Sequence, residues 1–160
     1  MKCLLKIKRQ FTLLAALLVL STAVFADQSP MRLNADELHW KTGSCSYTKG
    51  PQFSLLLGDL HKPGLFIMMV KFPPNFKLLP HWYDTDEHST ILKGTMYAGF
   101  GDSINLKEAK AVHAGGFLFF PARQHHFGVT GPEGATVELV GIGPWAAHFV
   151  NPSDDPCASK

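Results

Sequence analysis

Short apolar runs alternate with turn-forming residues along most of the chain. The runs are four to eight residues long and lie at residues 53–57, 65–72, 89–92, 96–100, 116–120 and 136–142. Clusters of Gly, Pro and Asn separate them, and no window after the N-terminal region keeps a 3.6-residue period. This spacing is typical of an all-β sandwich or barrel rather than of alternating strands and helices. We therefore predict an all-β fold, a small antiparallel β-barrel.

Two of these runs indicate which side chains face inward. Phe66, Met68 and Val70 share one face of a strand because successive side chains point to opposite sides. We expect this face to line the barrel interior. Residues 117–120 are apolar at every position, which suits a strand covered on both faces. A second subunit or the N-terminal segment would supply the outer cover. Because the apolar strands exceed what one small barrel can cover from within, the sequence predicts a homodimer.

The N-terminal region has the three parts of a secretory signal peptide. Residues 1–9 carry four basic side chains and no acidic one, residues 11–20 are almost entirely apolar, and small residues lead to Ala26. The apolar run is too short to span a bilayer, which takes about twenty residues. We predict that residues 1–26 are removed and that residues 27–160 form a single domain with an extended N-terminal segment and a polar C-terminal tail. The protein is then exported, either periplasmic or secreted.

Removing this leader changes the charge balance. The chain has 15 Lys and Arg residues and 13 Asp and Glu residues. Four of the basic residues belong to the leader, which leaves 11 basic against 13 acidic residues. A net charge near −2 gives no electrostatic reason to expect nucleic acid or an anionic membrane as a partner. We expect a small molecule instead.

Cysteine usage leaves two possibilities open. Cys3 lies in the predicted leader, so Cys45 and Cys157 remain. In an oxidising compartment two cysteines permit a disulfide without requiring one. The sequence therefore leaves open both a bridge between them and two isolated thiols.

Candidate chemistry is concentrated in two segments, residues 81–94 and 115–126. On a strand, His81 and Tyr83 point to the same side, and the three residues before Glu87 can form a turn that returns its carboxylate to that side. In the second segment, the same alternation allows only one of His125 and His126 to face inward. Two imidazoles and a carboxylate on one face are a typical ligand set for a divalent metal ion.

The two segments resemble the two sequence motifs of the cupin superfamily. In the first, His81, Glu87 and Gly94 keep the motif spacing, and in the second, Gly115, Pro121 and His126 do so. Other stretches, at residues 80–82, 86–88, 143–145 and 151–156, resemble a group of exported bacterial single-domain cupins of unsettled function. The resemblance implies a double-stranded β-helix of the jelly-roll type, in which His81, Glu87 and His126 bind one divalent metal ion.

Three positions depart from the cupin motifs. Tyr83 replaces the second histidine of the first motif, Arg123 replaces a glycine, and Thr130 replaces the final asparagine. The remaining triad suits Fe(II) and is compatible with Mn, Ni or Zn. Tyr83 becomes the candidate catalytic residue, as a ligand, a hydrogen-bond donor to a bound molecule or a proton donor. A phenol with a pKa of about 10 ligates at neutral pH only with strong help from the metal.

A different strand register would change the ligand set. His88 in place of Glu87, or His125 in place of His126, would then turn inward, so both remain alternate ligands. A regular alternation from Glu87 would also turn Lys93 inward, and the strand must therefore bend or end before Gly94.

Two functions of different classes follow from this interpretation. One is a metal-dependent enzyme acting on a small organic molecule in the barrel, such as a dioxygenase, lyase or isomerase. The other is a non-catalytic periplasmic module that binds or senses a small ligand, in which Tyr83 marks a lost activity. The fold does not choose between them, because one fold can carry many activities.

Overall fold

The computed structural model describes residues 29–42 and 50–158. The chain divides into Met1–Arg32 and Leu33–Lys160, and the architecture given below is that of the second unit. The predicted leader at residues 1–26 lies outside the described residues, and so does Cys45. Among the described residues, no helix is long and apolar enough to cross a membrane.

The described chain is built almost entirely of β-strands. Its only helix is one short 3-10 turn at Pro152–Asp154, after the last strand. The strands in chain order are β1 (Lys41–Thr42), β2 (Gln52–Leu57), β3 (Gly64–Phe72), β4 (Lys77–Trp82), β5 (Glu87–Phe100), β6 (Lys110–His113), β7 (Phe117–Phe120), β8 (His126–Gly143) and β9 (His148–Phe149). The all-β prediction is confirmed.

All strand pairs are antiparallel, and the long strand β8 organises them. Its first part pairs with β4 and with the end of β5, and its second part pairs with β3 and with the start of β5. The path through the sheet runs β1-β2-β3-β8-β4-β9, while β5 also pairs with β6 and β7. Strand β8 is hydrogen-bonded to three other strands, β3, β4 and β5. The sheet curls around its apolar side and forms a jelly-roll barrel that is open on one side.

Two predicted interruptions are bends within long strands. Runs 89–92 and 96–100 belong to the single strand β5, whose pairing with β8 shifts on either side of residues 92–95. Gly94 has a φ of 77°, a left-handed conformation that glycine adopts easily, and Lys93 is exposed. The expected bend is therefore a β-bulge. Gly131 and Pro132, read as a turn from the sequence, lie inside β8.

The interior is formed by alternate residues, as predicted for β3. Phe66, Met68 and Val70 are buried and pack with Leu139 of β8. A second cluster fills the rest of the core, with Ile91, Met96, Ala98, Val112, Phe120, Ala135 and Val137. The expected cover over both faces of β7 is not found within the described chain. Phe120 is buried, but Phe117 is 58% exposed and Phe119 is 45% exposed.

Candidate metal centre

His81, Glu87 and His126 are brought together by three strands. His81 near the end of β4 is the direct cross-strand partner of His126, the first residue of β8. Glu87 opens β5 after the turn at residues 83–86, so its side chain returns toward the two imidazoles. All three residues are buried, with exposures of 0%, 7% and 3% respectively. One candidate ligand atom from each lies within 4.8 Å of the others.

Backbone carbonyls orient both imidazole rings. His81 Nδ1 lies 2.7 Å from the carbonyl oxygen of Leu79, and His126 Nδ1 lies 2.9 Å from that of Gln124. A carbonyl oxygen can only accept, so each Nδ1 carries the proton and donates it. Each Nε2 therefore directs its lone pair into the space between the rings. A hydrogen bond of this kind on the second nitrogen is the usual support of a metal-binding histidine.

One carboxylate oxygen of Glu87 has a hydrogen-bond donor and the other has none. Its Oε1 accepts a hydrogen bond of 2.7 Å from Ser89 Oγ. Its Oε2 lies 3.4 Å from His126 Nε2, longer than the 2.7–2.9 Å or so of a charge-assisted hydrogen bond. Glu87 Oε2 and both Nε2 atoms are buried without a hydrogen-bond partner. Three facing lone pairs in a dry interior are costly unless a cation lies between them, so these residues fit a divalent metal ion.

Burial sets the protonation of this group. Burial, with a smaller contribution from His126, lowers the pKa of His81 from 6.5 to about 4, although Glu87 and the hydrogen bond to Leu79 act in the opposite direction. Burial alone would raise the pKa of Glu87. The attraction of His126 and His81 when these imidazoles are protonated and the hydrogen bond from the Ser89 hydroxyl outweigh burial and keep the pKa of Glu87 below its usual value. Near neutral pH, Glu87 is a carboxylate and His81 a neutral imidazole, the forms that bind metals.

Tyr83 lies beside the triad. Its ring meets the His81 ring edge-on with centroids 5.2 Å apart, and it stacks on Trp145 at 3.9 Å. Tyr83 is half-buried and lines the same cavity as Glu87 and His126. The expected position beside His81 is therefore found, and its role as a catalytic residue stays a prediction.

The two alternate ligands lie elsewhere. His88 is exposed on the outer face of β5, with its ring 5.1 Å from that of Phe119. His125 is half-buried, and its Nδ1 lies 2.6 Å from Asp102 Oδ1. The register thus directs Glu87 and His126 inward, as the sequence spacing indicated.

A cavity of about 660 Å³ opens from this group into the barrel. Glu87, Ser89, His126 and Tyr83 are among its lining residues. Most of the remaining wall is apolar, with side chains from β3, β5 and β8 and from the segment after β8. The volume is within the range of about 300–1,000 Å³ found for small-molecule sites.

Sequence reasoning missed two supporting side chains. Ser89 bonds to Glu87, and Phe120 stacks on His126 with ring centroids 3.8 Å apart and planes 9° apart. Ser89 is two residues from Glu87, so strand alternation could have found it. Phe120 could not be found in this way, because its contact with His126 depends on how β7 pairs with β5.

The cysteine question is answered in part. Cys157 is disulfide-bonded in the structure. The other two cysteines of the chain, Cys3 and Cys45, both lie outside the described residues. Asp155 and Cys157 line the cavity, so the C-terminal segment forms part of its wall.

Comparison with solved structures identifies the fold. A polyketide cyclase from Streptomyces resistomycificus superposes with a TM-score of 0.66 at 19% identity, over 80% of this chain and 90% of that one. An RmlC-like cupin from Shewanella frigidimarina gives a TM-score of 0.55 at 16% identity, over 73% and 94% of the two chains. A sugar phosphate isomerase from a cupin superfamily, from Silicibacter pomeroyi, gives 0.57 at 18% identity, over 74% and 81%.

These likenesses show a cupin fold, which confirms the fold implied by the two motifs. No protein-family model matches the sequence, and no curated protein does so. The similar structures carry different activities, so the fold alone does not assign one here.

Proposed function

We propose that this protein binds one divalent metal ion through His81, Glu87 and His126 and acts on a small organic molecule in the adjoining cavity. One observation carries the proposal: Nε2 of both histidines and Oε2 of Glu87 face one another, buried and without hydrogen-bond partners. A cation bound there would supply Lewis-acid chemistry, polarising an oxygen atom of the bound molecule.

The protein's own residues supply orientation and exclusion of water. Leu79 and Gln124 hold the two imidazoles through their carbonyl oxygens, and Ser89 holds the carboxylate. The apolar wall keeps bulk water from the reacting atoms, which strengthens electrostatic interactions. Tyr83 lines the same cavity beside His81, which supports a role for its phenol in orienting a bound molecule or exchanging a proton with it. Dioxygenase, lyase and isomerase reactions are all within reach of this arrangement, and Fe, Mn, Ni and Zn all suit its donors.

The decisive experiment compares neighbouring residues on opposite faces of β5. Purified protein is reconstituted with each of the four metals, and bound metal is counted by elemental analysis. Wild type is expected to hold about one equivalent. Glu87→Gln should weaken binding about a hundredfold, since it removes a ligand charge, while the exposed His88→Gln should leave it unchanged. Equal loss in both variants, or no bound metal in wild type, would refute the proposal.

A non-catalytic binding or sensing module is the second candidate. Tyr83 stands at the position of the second histidine of the first motif and favours this candidate, because its ring stacks on Trp145 and a phenol with a pKa of about 10 is a poor metal ligand at neutral pH. Restoring the motif with Tyr83→His should tighten metal binding several-fold and alter ligand preference without unfolding the barrel. Calorimetric titration and thermal unfolding of both forms measure this. Unchanged affinity would mean that an imidazole at position 83 does not reach the ion.

We also propose that the protein is exported and self-associates. The leader at residues 1–26 supports export, and mass spectrometry of the mature N-terminus tests it. The exposed Phe117 and Phe119 support a dimer that covers the outer face of β7. Sedimentation should show a dimer that Phe117→Lys weakens, and a wild-type monomer at micromolar concentration would contradict it.

A further inference from the structure

The cavity wall is unusually uniform away from the metal-binding group. Many of its lining side chains on β3, β5 and β8 are aliphatic or thioether groups, including Met68, Val70, Ile91, Met96, Val137 and Leu139. Aromatic rings of Phe53, Phe72 and Trp145 add to the same surface. None of these side chains can form a strong hydrogen bond with the body of a ligand, apart from the indole N–H of Trp145.

Charged lining groups are few and are already engaged or exposed. Besides Glu87 and His126, the ionisable side chains among the described lining residues are Tyr83, Lys41 and Asp155. Lys41 lies on the exposed strand β1, and the Asp155 carboxylate accepts a 2.8 Å hydrogen bond from the backbone N–H of Cys157. No arginine is among the described lining residues. A phosphate or a second carboxylate in the interior would therefore be desolvated without the cationic partners such groups require.

The buried polar side chains of the lining, Glu87, Ser89 and His126, are instead gathered in one place, while Lys41 and Thr42 lie on the exposed strand β1. Ser89 bonds to Glu87, Glu87 lies beside His126, and the Tyr83 ring lies beside His81 and 6.0 Å from that of His126. A ligand that satisfies this cavity presents oxygen to that group and hydrocarbon everywhere else.

We infer that the ligand is amphipathic: an apolar acyclic, alicyclic or aromatic body with a single oxygen-bearing head group, and not a phosphorylated or multiply charged metabolite. This inference rests on the proposed function for the position of the head group. The apolar nature of the ligand body is inferred from the cavity wall alone.

The size of the cavity sets the size of the body. An apolar cavity of about 150 Å³ is enough to bind benzene. The cavity here is about 660 Å³, roughly four times as large, so it has room for a body well beyond a single ring. Leaving such a space empty forfeits contacts that a hydrocarbon body would make.

The test uses a homologous series of probes on the metal-loaded, full-length mature protein. Straight-chain carboxylic acids from butanoic to decanoic acid are titrated, with glucose 6-phosphate as the comparison. Affinity should rise about fourfold for each added methylene, since each buried methylene contributes about 0.8 kcal/mol. Glucose 6-phosphate should bind more weakly than octanoic acid. A flat series, or tighter binding of the sugar phosphate, would overturn the inference.

Two adjacent methionines provide the matched control. Met68 is 6% exposed and faces the cavity, while Met69 is half-buried on the outer face of the same strand. Met68→Glu should abolish the gain per methylene, and Met69→Glu should keep it. If Met68→Glu does not fold, Met68→Trp narrows the cavity and should stop the gain at a shorter chain. A gain that survives every folded Met68 variant would overturn the inference.

Repeating the series on His126→Ala separates this inference from the proposed function. Loss of the metal should lower affinity for all the acids by a common factor and leave the gain per methylene in place. If the wild-type protein binds no metal but its affinity still rises with each methylene, the inferred ligand class stands and the proposed function is wrong. A protein that binds one metal without any gain refutes the ligand class alone.

Discussion

The structure contains two pairs of histidines that differ in how their ring nitrogens are used. His125 and His148 are partly exposed, and each is paired with an aspartate, at 2.6 Å to Asp102 and 2.9 Å to Asp84. His81 and His126 are buried, and each donates from Nδ1 to a backbone carbonyl while its Nε2 has no partner. The partly exposed pair is satisfied by the protein itself. The buried pair keeps two Nε2 lone pairs without a partner, which a bound cation would satisfy.

The largest expected effect comes from replacing two adjacent histidines by alanine, one from each pair. His126→Ala should lower metal affinity by about a hundredfold or more, since even loss of a residue that only supports a ligand costs about 10- to 100-fold. His125→Ala should retain about one metal per chain, because its imidazole bonds to Asp102 outside the triad. Elemental analysis after reconstitution measures both. If the two variants lost metal equally, the distinction between the pairs would be wrong.

Acid should destabilise the metal-free protein through His81. The pKa of His81 falls from 6.5 to about 4 on burial, so the folded state binds fewer protons than the unfolded state in this interval. The contribution of His81 to the free energy of unfolding is therefore complete above about pH 6.5. It is lost as the pH falls toward about 4, by about 3 kcal/mol in total. The lowered pKa of Glu87 adds a loss in the same direction at the acidic end.

Urea unfolding of the metal-free protein at a series of pH values measures this loss. The same titration on His81→Gln removes the titrating imidazole and should give a flatter profile. A variant profile as steep as that of wild type would show that the loss arises elsewhere.

The smallest expected effect comes from removing the hydrogen bond that Ser89 donates to the Glu87 carboxylate. Ser89→Ala removes the 2.7 Å hydrogen bond to Glu87 Oε1 and should weaken metal binding about tenfold. Thr90→Ala, on the adjacent residue of the same strand and directed to its other face, should change it little. Competition with a chromogenic chelator resolves a tenfold difference. Equal affinities in the two variants would mean that the serine does not position the ligand.

The sequence indicated which side chains lie together better than it indicated the lengths of the strands that carry them. The spacing of His81, Glu87 and His126 indicated a shared face, because side-chain direction follows from a period of two. The lengths of β5 and β8 were not predicted. Gly94 within β5 and Gly131-Pro132 within β8 look like turns locally, yet pairing with neighbouring strands carries both strands through them. Such pairing is a long-range property that no local window contains.

The continuity of β8 has a consequence for the order of events during synthesis. The three candidate ligands have all been translated once His126 is made, but β8 closes the barrel by pairing with β3 as far as Gly143 and Gly64. These partners are far apart in sequence, and such pairings form late because a long loop must be closed first. The dry interior around the triad is thus assembled only when the second half of β8 has emerged. A metal ion bound at the proposed site would therefore enter after this pairing, in the compartment where the protein finishes folding.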